Sequence, residues 1–199
     1  MIYVEDELIK MDLRKGKMNK IIIVLGMCGA GKSVLCDYLE TKGFERIYFG
    51  AITFEKLKEE GLEATPENER MMREKLRKKH GMAVFATLNL PKIKDAIKNG
   101  NVVLESLYSW DELNIILKEF KNQVVMISVI VNKELRYERL NKRIIRPFNK
   151  DEAIERDITE IENIAKAGPI VYADYFLDNN GSIDDLYKQM DKILNKINA

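Results

Sequence analysis

The 199 residues of this chain are enough for one α/β domain with a substantial core and are few for two, so we treat the chain as a single domain. Its 33 basic and 32 acidic side chains leave a formal net charge of +1, which argues against a general binder of nucleic acids or of membrane surfaces. No apolar run approaches the roughly 20 residues that span a bilayer, and the N-terminus alternates charge where a signal peptide would be apolar. A cytoplasmic protein is therefore expected.

Five short apolar runs recur between longer helical patterns. They are Ile21–Leu25, Arg46–Phe49, Val102–Leu107, Val124–Val131 and Tyr175–Leu177. Such alternation is typical of α/β proteins, in which a mainly parallel sheet is covered by helices on both faces. Residues 1–19 form a charged N-terminal leader to which we assign no chemistry, and residues 20–199 form the predicted domain.

The first predicted strand leads directly into the segment Gly-Met-Cys-Gly-Ala-Gly-Lys-Ser at residues 26–33, and a helical pattern follows. A strand, a glycine-rich turn and a helix in this order are the context of a phosphate-binding loop. Glycines let backbone N–H groups converge on an oxyanion, and the helix directs its partial positive end to the same point. Lys32 is then placed to reach the outer phosphates of ATP, and the Ser33 hydroxyl to ligate Mg²⁺. The predicted nucleotide-binding residues of this loop are Gly26, Cys28, Gly29, Ala30, Gly31, Lys32, Ser33 and Val34.

Several helix starts can also be predicted. Thr65 followed by Pro66 indicates a capped helix with proline in its first position. A capping side chain also stands three residues before an acidic one in three segments, at Ser109 and Glu112, Asn149 and Glu152, and Ser182 and Asp185. The pair Gly168-Pro169 is expected to break the chain after a helix over 151–167.

Phosphoryl transfer needs cations around the transferred group, and four arginines follow the fourth predicted strand, at 136, 139, 143 and 146. The spacings of four and three would stack residues 139, 143 and 146 on one face of a helix that Pro147 ends. The loop that follows could close over the nucleotide. The alternative is a solvated basic face paired with nearby acidic residues, but beside a phosphate-binding loop we favour a catalytic role for Arg143 and Arg146.

A second basic cluster lies on the helical stretch Pro66–His80. A run this dense is mostly solvent-facing, but Arg73 and Arg77 are interpreted as residues that bind a phosphate of the acceptor. Glu105, at the end of the third strand, is the candidate catalytic carboxylate that organises Mg²⁺ water or the acceptor hydroxyl. The alternative is an exposed strand end.

Together these motifs resemble the P-loop kinases of small phosphorylated metabolites, which include nucleoside monophosphate kinases, dephospho-coenzyme A kinases and their archaeal adenylate-kinase-related cousins. The resemblance extends from Lys20 to the C-terminus and rests on the phosphate-binding loop and on the segments 61–68, 136–140 and 173–182. It implies a three-layer P-loop NTPase fold with a five-stranded core, an acceptor-binding helical segment at about 51–99 and a short lid at about 143–150. It further implies that Arg139, Asn179 and Gly181 lie near the nucleotide, with Arg143 and Arg146 in the lid.

The chain departs from the pattern of these kinases in its acceptor half. They usually carry an aspartate just after the second strand and often an arginine three residues later, where this chain has Ala51 and Phe54. At the end of the third strand they carry Asp-Gly, where this chain has Glu105-Ser106. Either the acceptor is unusual, with Thr53, Arg73 and Arg77 as substitutes, or catalysis is impaired.

We therefore expect an ATP- and Mg²⁺-dependent kinase of a small nucleotide-like acceptor, of the nucleoside monophosphate or dephospho-coenzyme A type. A monomer or homodimer is expected, without nucleic acid or membrane partners. The alternative is a regulatory nucleotide-binding protein with weak or lost kinase activity.

Overall fold

The computed structural model describes residues 18–198, so most of the predicted leader at 1–19 lies outside the described residues. The strands are β1 (Ile21–Leu25), β2 (Glu45–Tyr48), β3 (Val102–Glu105), β4 (Val124–Ile130) and β5 (Tyr175–Asp178). The helices of this part of the chain are α1 (Lys32–Thr41), α2 (Ala51–Glu59), α3 (Pro66–His80), α4 (Val84–Asn99), α5 (Trp110–Phe120), α6 (Lys133–Asn141), α7 (Lys150–Glu162), α8 (Ala167–Val171) and α9 (Ile183–Asn198). No helix among these is long and apolar enough to cross a membrane.

The five strands form one parallel sheet in the order β2-β3-β1-β4-β5, which confirms the predicted α/β fold with a five-stranded parallel core. The central strand is β1, where Ile21 pairs with Val102 of β3 on one side and Val124 of β4 on the other. In a parallel sheet the carboxyl ends of all strands lie at the same edge. Ligands usually bind at the point of this edge where the strand order reverses, in the crevice between two neighbouring strands. The turn that follows β1 lies at that crevice.

Two apolar layers cover the sheet, because successive side chains of a strand point to opposite faces. Ile21, Ile23 and Leu25 of β1 pack in the layer formed with α2 to α5, whereas Ile22 and Val24 pack against α1 and α9. All five are essentially inaccessible to solvent. The sheet therefore has helices on both faces, as expected for the three-layer fold.

The predicted helix starts are confirmed. The Thr65 hydroxyl accepts a hydrogen bond from the N–H of Asn68, and Pro66 is the first residue of α3. Reciprocal capping boxes open α5 and α7, and Ser182 accepts from the N–H of Asp185 before α9. Each cap satisfies N–H groups that have no partner inside the helix.

The prediction for the arginine helix was wrong beyond its first turns. Helix α6 ends at Asn141, so Arg143 and Arg146 do not continue its face and Pro147 does not end it. The chain instead folds back on the last turn, where the N–H of Phe148 donates to the Leu140 carbonyl at 3.1 Å. Arg146 adopts a left-handed backbone with φ of 54°. Both arginines thus project from a loop.

The break expected at Gly168-Pro169 is also misplaced. Helix α7 ends at Glu162, and after a left-handed residue at Ala165 the pair lies inside the short helix α8. Pro169 is the third residue of α8, where a backbone N–H would have no partner within the helix, so proline is tolerated.

Candidate functional site

The phosphate-binding loop, residues 26–33, joins β1 to α1 and is shaped by its glycines. Gly31 caps α1 with φ of 97°, and a methyl group there would collide with the side-chain amide of Asn179. Gly26 has φ of 140°, and a Cβ would lie 2.6 Å from the carbonyl oxygen of Val129. Because only glycine tolerates both the dihedral angle and the approach, these positions fix the curl of the loop.

Lys32 carries the charge of this loop. Its Nζ donates to the carbonyl oxygen of Met27 at 3.0 Å. Burial, reinforced by repulsion from Lys166, lowers the pKa of Lys32 to about 8. An ammonium in this environment gains strongly from an anionic partner, such as the outer phosphates of a nucleoside triphosphate.

Ser33 and Glu105 meet beside the loop. The Ser33 hydroxyl donates to Glu105 Oε1 at 2.6 Å, and Oε2 of the same carboxylate accepts from Arg46 Nε at 2.9 Å. Glu105 is 5% exposed, so the alternative of an exposed strand end was wrong. Hydroxyl and carboxylate oxygens are ligands that Mg²⁺ prefers, and phosphate oxygens and water commonly complete its shell. The pair therefore fits the predicted ion.

A cleft of about 550 Å³ extends from the loop toward α2, α3 and the lid. The predicted residues that line it are Cys28, Gly29, Lys32, Ser33, Thr53, Arg73, Glu105, Arg143 and Arg146. In the part of the chain that the structure describes, its wall carries six cationic side chains, Lys32 included, and two carboxylates, Glu69 and Glu105. This excess of positive charge suits a polyanionic ligand.

Beside the cleft lies a small cavity of about 20 Å³, lined by residues that include Thr53, Arg73 and Arg77. Thr53 is 1% exposed, and among residues 18–198 its Oγ1 has no hydrogen-bond partner, nor has the buried Nε of Arg77. The Arg77 guanidinium stacks over the Phe85 ring, and burial lowers its pKa. Buried polar atoms without partners are costly, and a cavity of this size has room for about one water molecule, which can supply the missing hydrogen bonds. Binding of the acceptor by Thr53, Arg73 and Arg77 stays a prediction.

The predicted lid, residues 143–150, contacts both the phosphate-binding loop and α3. Both terminal nitrogens of Arg146 donate to the buried Glu69 carboxylate, at 3.0 and 2.7 Å, and hydrogen bonding from Arg146 lowers the pKa of Glu69. Arg73 lies 3.4 Å from the same carboxylate. Arg143 approaches Cys28 Sγ at 3.9 Å. The lid is thus tied to α3 through one carboxylate.

Other predicted residues lie around the loop rather than on the cleft wall. Arg139 Nη2 donates to the carbonyl oxygen of Asn179, whose side chain donates to the Ala30 carbonyl at 2.8 Å. Gly181 lies near Asp185. The contacts of Asn179 with Ala30 and of Arg139 with Asn179 brace the phosphate-binding loop, and a role of Arg139, Asn179 and Gly181 in binding the nucleotide stays a prediction. Gly26, Ala30, Gly31 and Val34 shape the loop and the start of α1 without lining the cleft.

Four charged residues near the loop were not predicted from the sequence. Arg46, Arg156, Glu160 and Lys166 are brought there by β2, α7 and the turn before α8. The four-residue spacing of Arg156 and Glu160 on a capped helix was a local signal of a pair. Nothing in the sequence near Glu160 indicated that this residue contacts Cys28 of the phosphate-binding loop.

Comparison with known proteins identifies the family. A family model described as an AAA domain matches residues 22–160. A UPF0200 protein of Thermococcus kodakarensis is 32% identical over 181 residues, which cover 89% of this chain and 97% of that protein. The chain belongs to the UPF0200 family. Another UPF0200 protein, from Staphylothermus marinus, is 31% identical over 180 residues, covering 89% of this chain and 92% of its own length.

Solved structures with lower identity share the fold of this UPF0200 family member. TT1252 from Thermus thermophilus superposes with a TM-score of 0.61 at 18% identity, covering 92% of this chain and all of that chain. A shikimate kinase from Bacteroides thetaiotaomicron gives a TM-score of 0.57 at 16% identity over 88% of this chain and 98% of its own. The fold is therefore that of P-loop proteins, which include kinases.

Proposed function

We propose that this protein transfers a phosphoryl group from ATP, with Mg²⁺, to a small nucleotide-like acceptor of the nucleoside monophosphate or dephospho-coenzyme A type. The observation that carries the proposal is the single cationic cleft that joins Lys32 and the Ser33–Glu105 pair to the polar corner at Thr53 and Arg73. Donor and acceptor sites that share one cleft can hold two substrates in line.

The donor half consists of the phosphate-binding loop and its neighbours. Lys32 binds the outer phosphates, and the loop N–H groups bind the phosphate chain. Ser33 and Glu105 hold Mg²⁺, which neutralises charge on the phosphates when bound. Arg143, which borders the loop from the lid, supplies further positive charge toward the transferred group.

The acceptor half consists of the polar corner and an aromatic wall. Thr53, Arg73 and Arg77 bind the anionic group of the acceptor. Four rings line the cleft and offer faces on which a base can stack, those of Tyr48, Phe54, Tyr108 and Phe148. Phe54 thus contributes to the acceptor site although it replaces the arginine of the related kinases.

Arg156 and Arg146 complete the cationic wall between the two halves. A nucleoside monophosphate attacks through a phosphate oxygen that is already largely ionised at neutral pH, so the protein need only orient it and exclude water. An acceptor of the dephospho-coenzyme A type attacks through a hydroxyl, whose proton must pass to a base, and Glu105 is the candidate for that role. The alternative, a regulatory nucleotide-binding protein, is favoured by one contact: Arg146 is paired with Glu69 in this structure and must leave that carboxylate before it can reach a transferred phosphate. We place the protein in the cytoplasm, as a monomer or homodimer.

A panel of nucleoside monophosphates and dephospho-coenzyme A, each incubated with ATP and Mg²⁺, separates the two proposals. The kinase predicts acceptor-dependent release of ADP with at least one member of the panel. ATP binding by calorimetry without acceptor-dependent release from any of them supports the regulatory protein instead.

A further inference from the structure

Helix α7 holds both backbone polar groups of Cys28 in the phosphate-binding loop, the N–H directly and the carbonyl through Arg136 of α6. Glu160 Oε2 accepts a hydrogen bond from the N–H of Cys28 at 3.1 Å. The Cys28 carbonyl accepts from Arg136 Nη1 at 2.9 Å, and Arg136 is itself held by two hydrogen bonds to Asp157. Asp157 and Glu160 lie three residues apart on α7 and therefore share one face of the helix. The Cys28 end of the loop is fixed by this face.

Glu160 is also the centre of a buried charge cluster. Its carboxylate accepts from Lys166 Nζ at 2.7 Å and from Arg156 Nε at 3.1 Å. Glu160 and Lys166 are each 1% exposed, and Lys166 Nζ lies 4.3 Å from the centre of the Tyr108 ring. Burial opposes ionisation of Glu160, but the two cations outweigh it and lower its pKa.

The cluster connects three functional parts. Arg156 lines the cleft, Cys28 belongs to the phosphate-binding loop, and α7 begins where the lid ends. A buried ion pair is costly to desolvate, and apolar residues of similar size often replace such pairs without loss of stability. Stability therefore does not by itself account for Glu160 and Lys166 at this place.

We propose that Glu160 is a positioning residue, which holds the Cys28 end of the phosphate-binding loop and the Arg156 guanidinium in fixed relation, with Lys166 as its buried countercharge. The inference rests on the proposed function for the identity of the ligand, a nucleoside triphosphate. Through Glu160, helix α7, which follows the lid, contacts the donor site directly. Donor binding therefore depends on a residue that does not line the cleft.

The test uses the double variant Glu160→Leu with Lys166→Met, which removes both charges of the fully buried pair and leaves Arg156, whose side chain is 30% exposed, without its carboxylate partner. Its matched control is Glu162→Gln, an exposed carboxylate on the same helix. Two readouts are compared: the rate at which iodoacetamide labels Cys28, and the calorimetric affinity for a non-hydrolysable ATP analogue with Mg²⁺. Cys36 is fully buried and burial raises its pKa, so Cys28 dominates the labelling.

We expect Cys28 of the double variant to be labelled about tenfold faster than in the control, and the analogue to bind about tenfold more weakly, since hydrogen bonds to charged groups are among the stronger ones. The melting temperature should stay close to that of the control. If either readout remains at the control value, the inference is overturned. Neither readout needs turnover, so a panel without kinase activity would refute the proposed function and leave this test intact.

A measurement on the unmodified chain keeps the inference testable if the double variant does not fold. The Cys28 amide, which donates to a buried carboxylate, should exchange with deuterium about 100-fold or more slowly than an exposed loop amide. Exchange at the rate of an exposed amide would contradict the proposed position of Glu160.

Discussion

Lys32 illustrates how a single residue couples the donor site to pH. The charged and titratable groups that face it are Lys166, Tyr108, Glu160 and Cys28, and burial with repulsion from Lys166 brings its pKa to about 8 in the free protein. Phosphates that bind beside the ammonium raise this pKa again. Lys32 is therefore charged in the free protein below about pH 8 and neutral above it, whereas in the complex it stays charged to higher pH.

We predict that triphosphate affinity is nearly constant from pH 6.5 to 7.5 and falls above about pH 8, by up to about tenfold per pH unit. Binding above pH 8 should take up about one proton, which calorimetry in buffers of different ionisation enthalpy measures. Lys32→Ala should remove this pH dependence and retain the fold, because the side chain lies over the ligand site and not in the core. Unchanged wild-type affinity from pH 7 to 9.5 would contradict the role of Lys32.

At the scale of elements, the sequence predicted what local chemistry determines. The caps at Thr65, Ser109 and Asn149 were predictable because a cap and its N–H partner lie within three residues. The end of α6 was not, because it depends on the return of Phe148 to Leu140 and not on Pro147. The Glu160 cluster was likewise hidden, since its contact with Cys28 spans 132 residues of sequence.

The lid loop supplies the next prediction. Arg143→Ala and Arg146→Ala should each lower the acceptor-dependent rate by about two to five orders of magnitude if these guanidinium groups stabilise the transition state. ATP affinity should change much less, because Lys32 and the loop N–H groups carry ground-state binding. Steady-state kinetics with calorimetry checks both values.

Lys142→Ala is the control for these variants, since Lys142 is an exposed neighbour whose ammonium lies 3.8 Å from the exposed Glu138. Its rate should stay near that of the unmodified chain. If Arg143→Ala and Arg146→Ala have the same rate as Lys142→Ala, the lid arginines take no part in phosphoryl transfer. That result would favour the regulatory protein.

At the scale of the whole molecule, the order of the sheet brings the site together. Strand β1 lies between β3 and β4, so the phosphate-binding loop meets Glu105 from one neighbour and stands against Val129 of the other. The α/β class and the strands were predictable from alternating apolar runs. The resemblance to P-loop kinases implied the five-stranded core, but the strand order was not predicted, because which strands pair is a long-range property.

The most direct measurement is a crystal structure of the full chain with a non-hydrolysable ATP analogue and Mg²⁺. We predict the phosphate chain inside the turn 26–33, Lys32 on the outer phosphates, and the ion on Ser33 with Glu105 beside it. A turn without phosphate at saturating analogue, or an analogue bound elsewhere on the molecule, would contradict the proposed donor site.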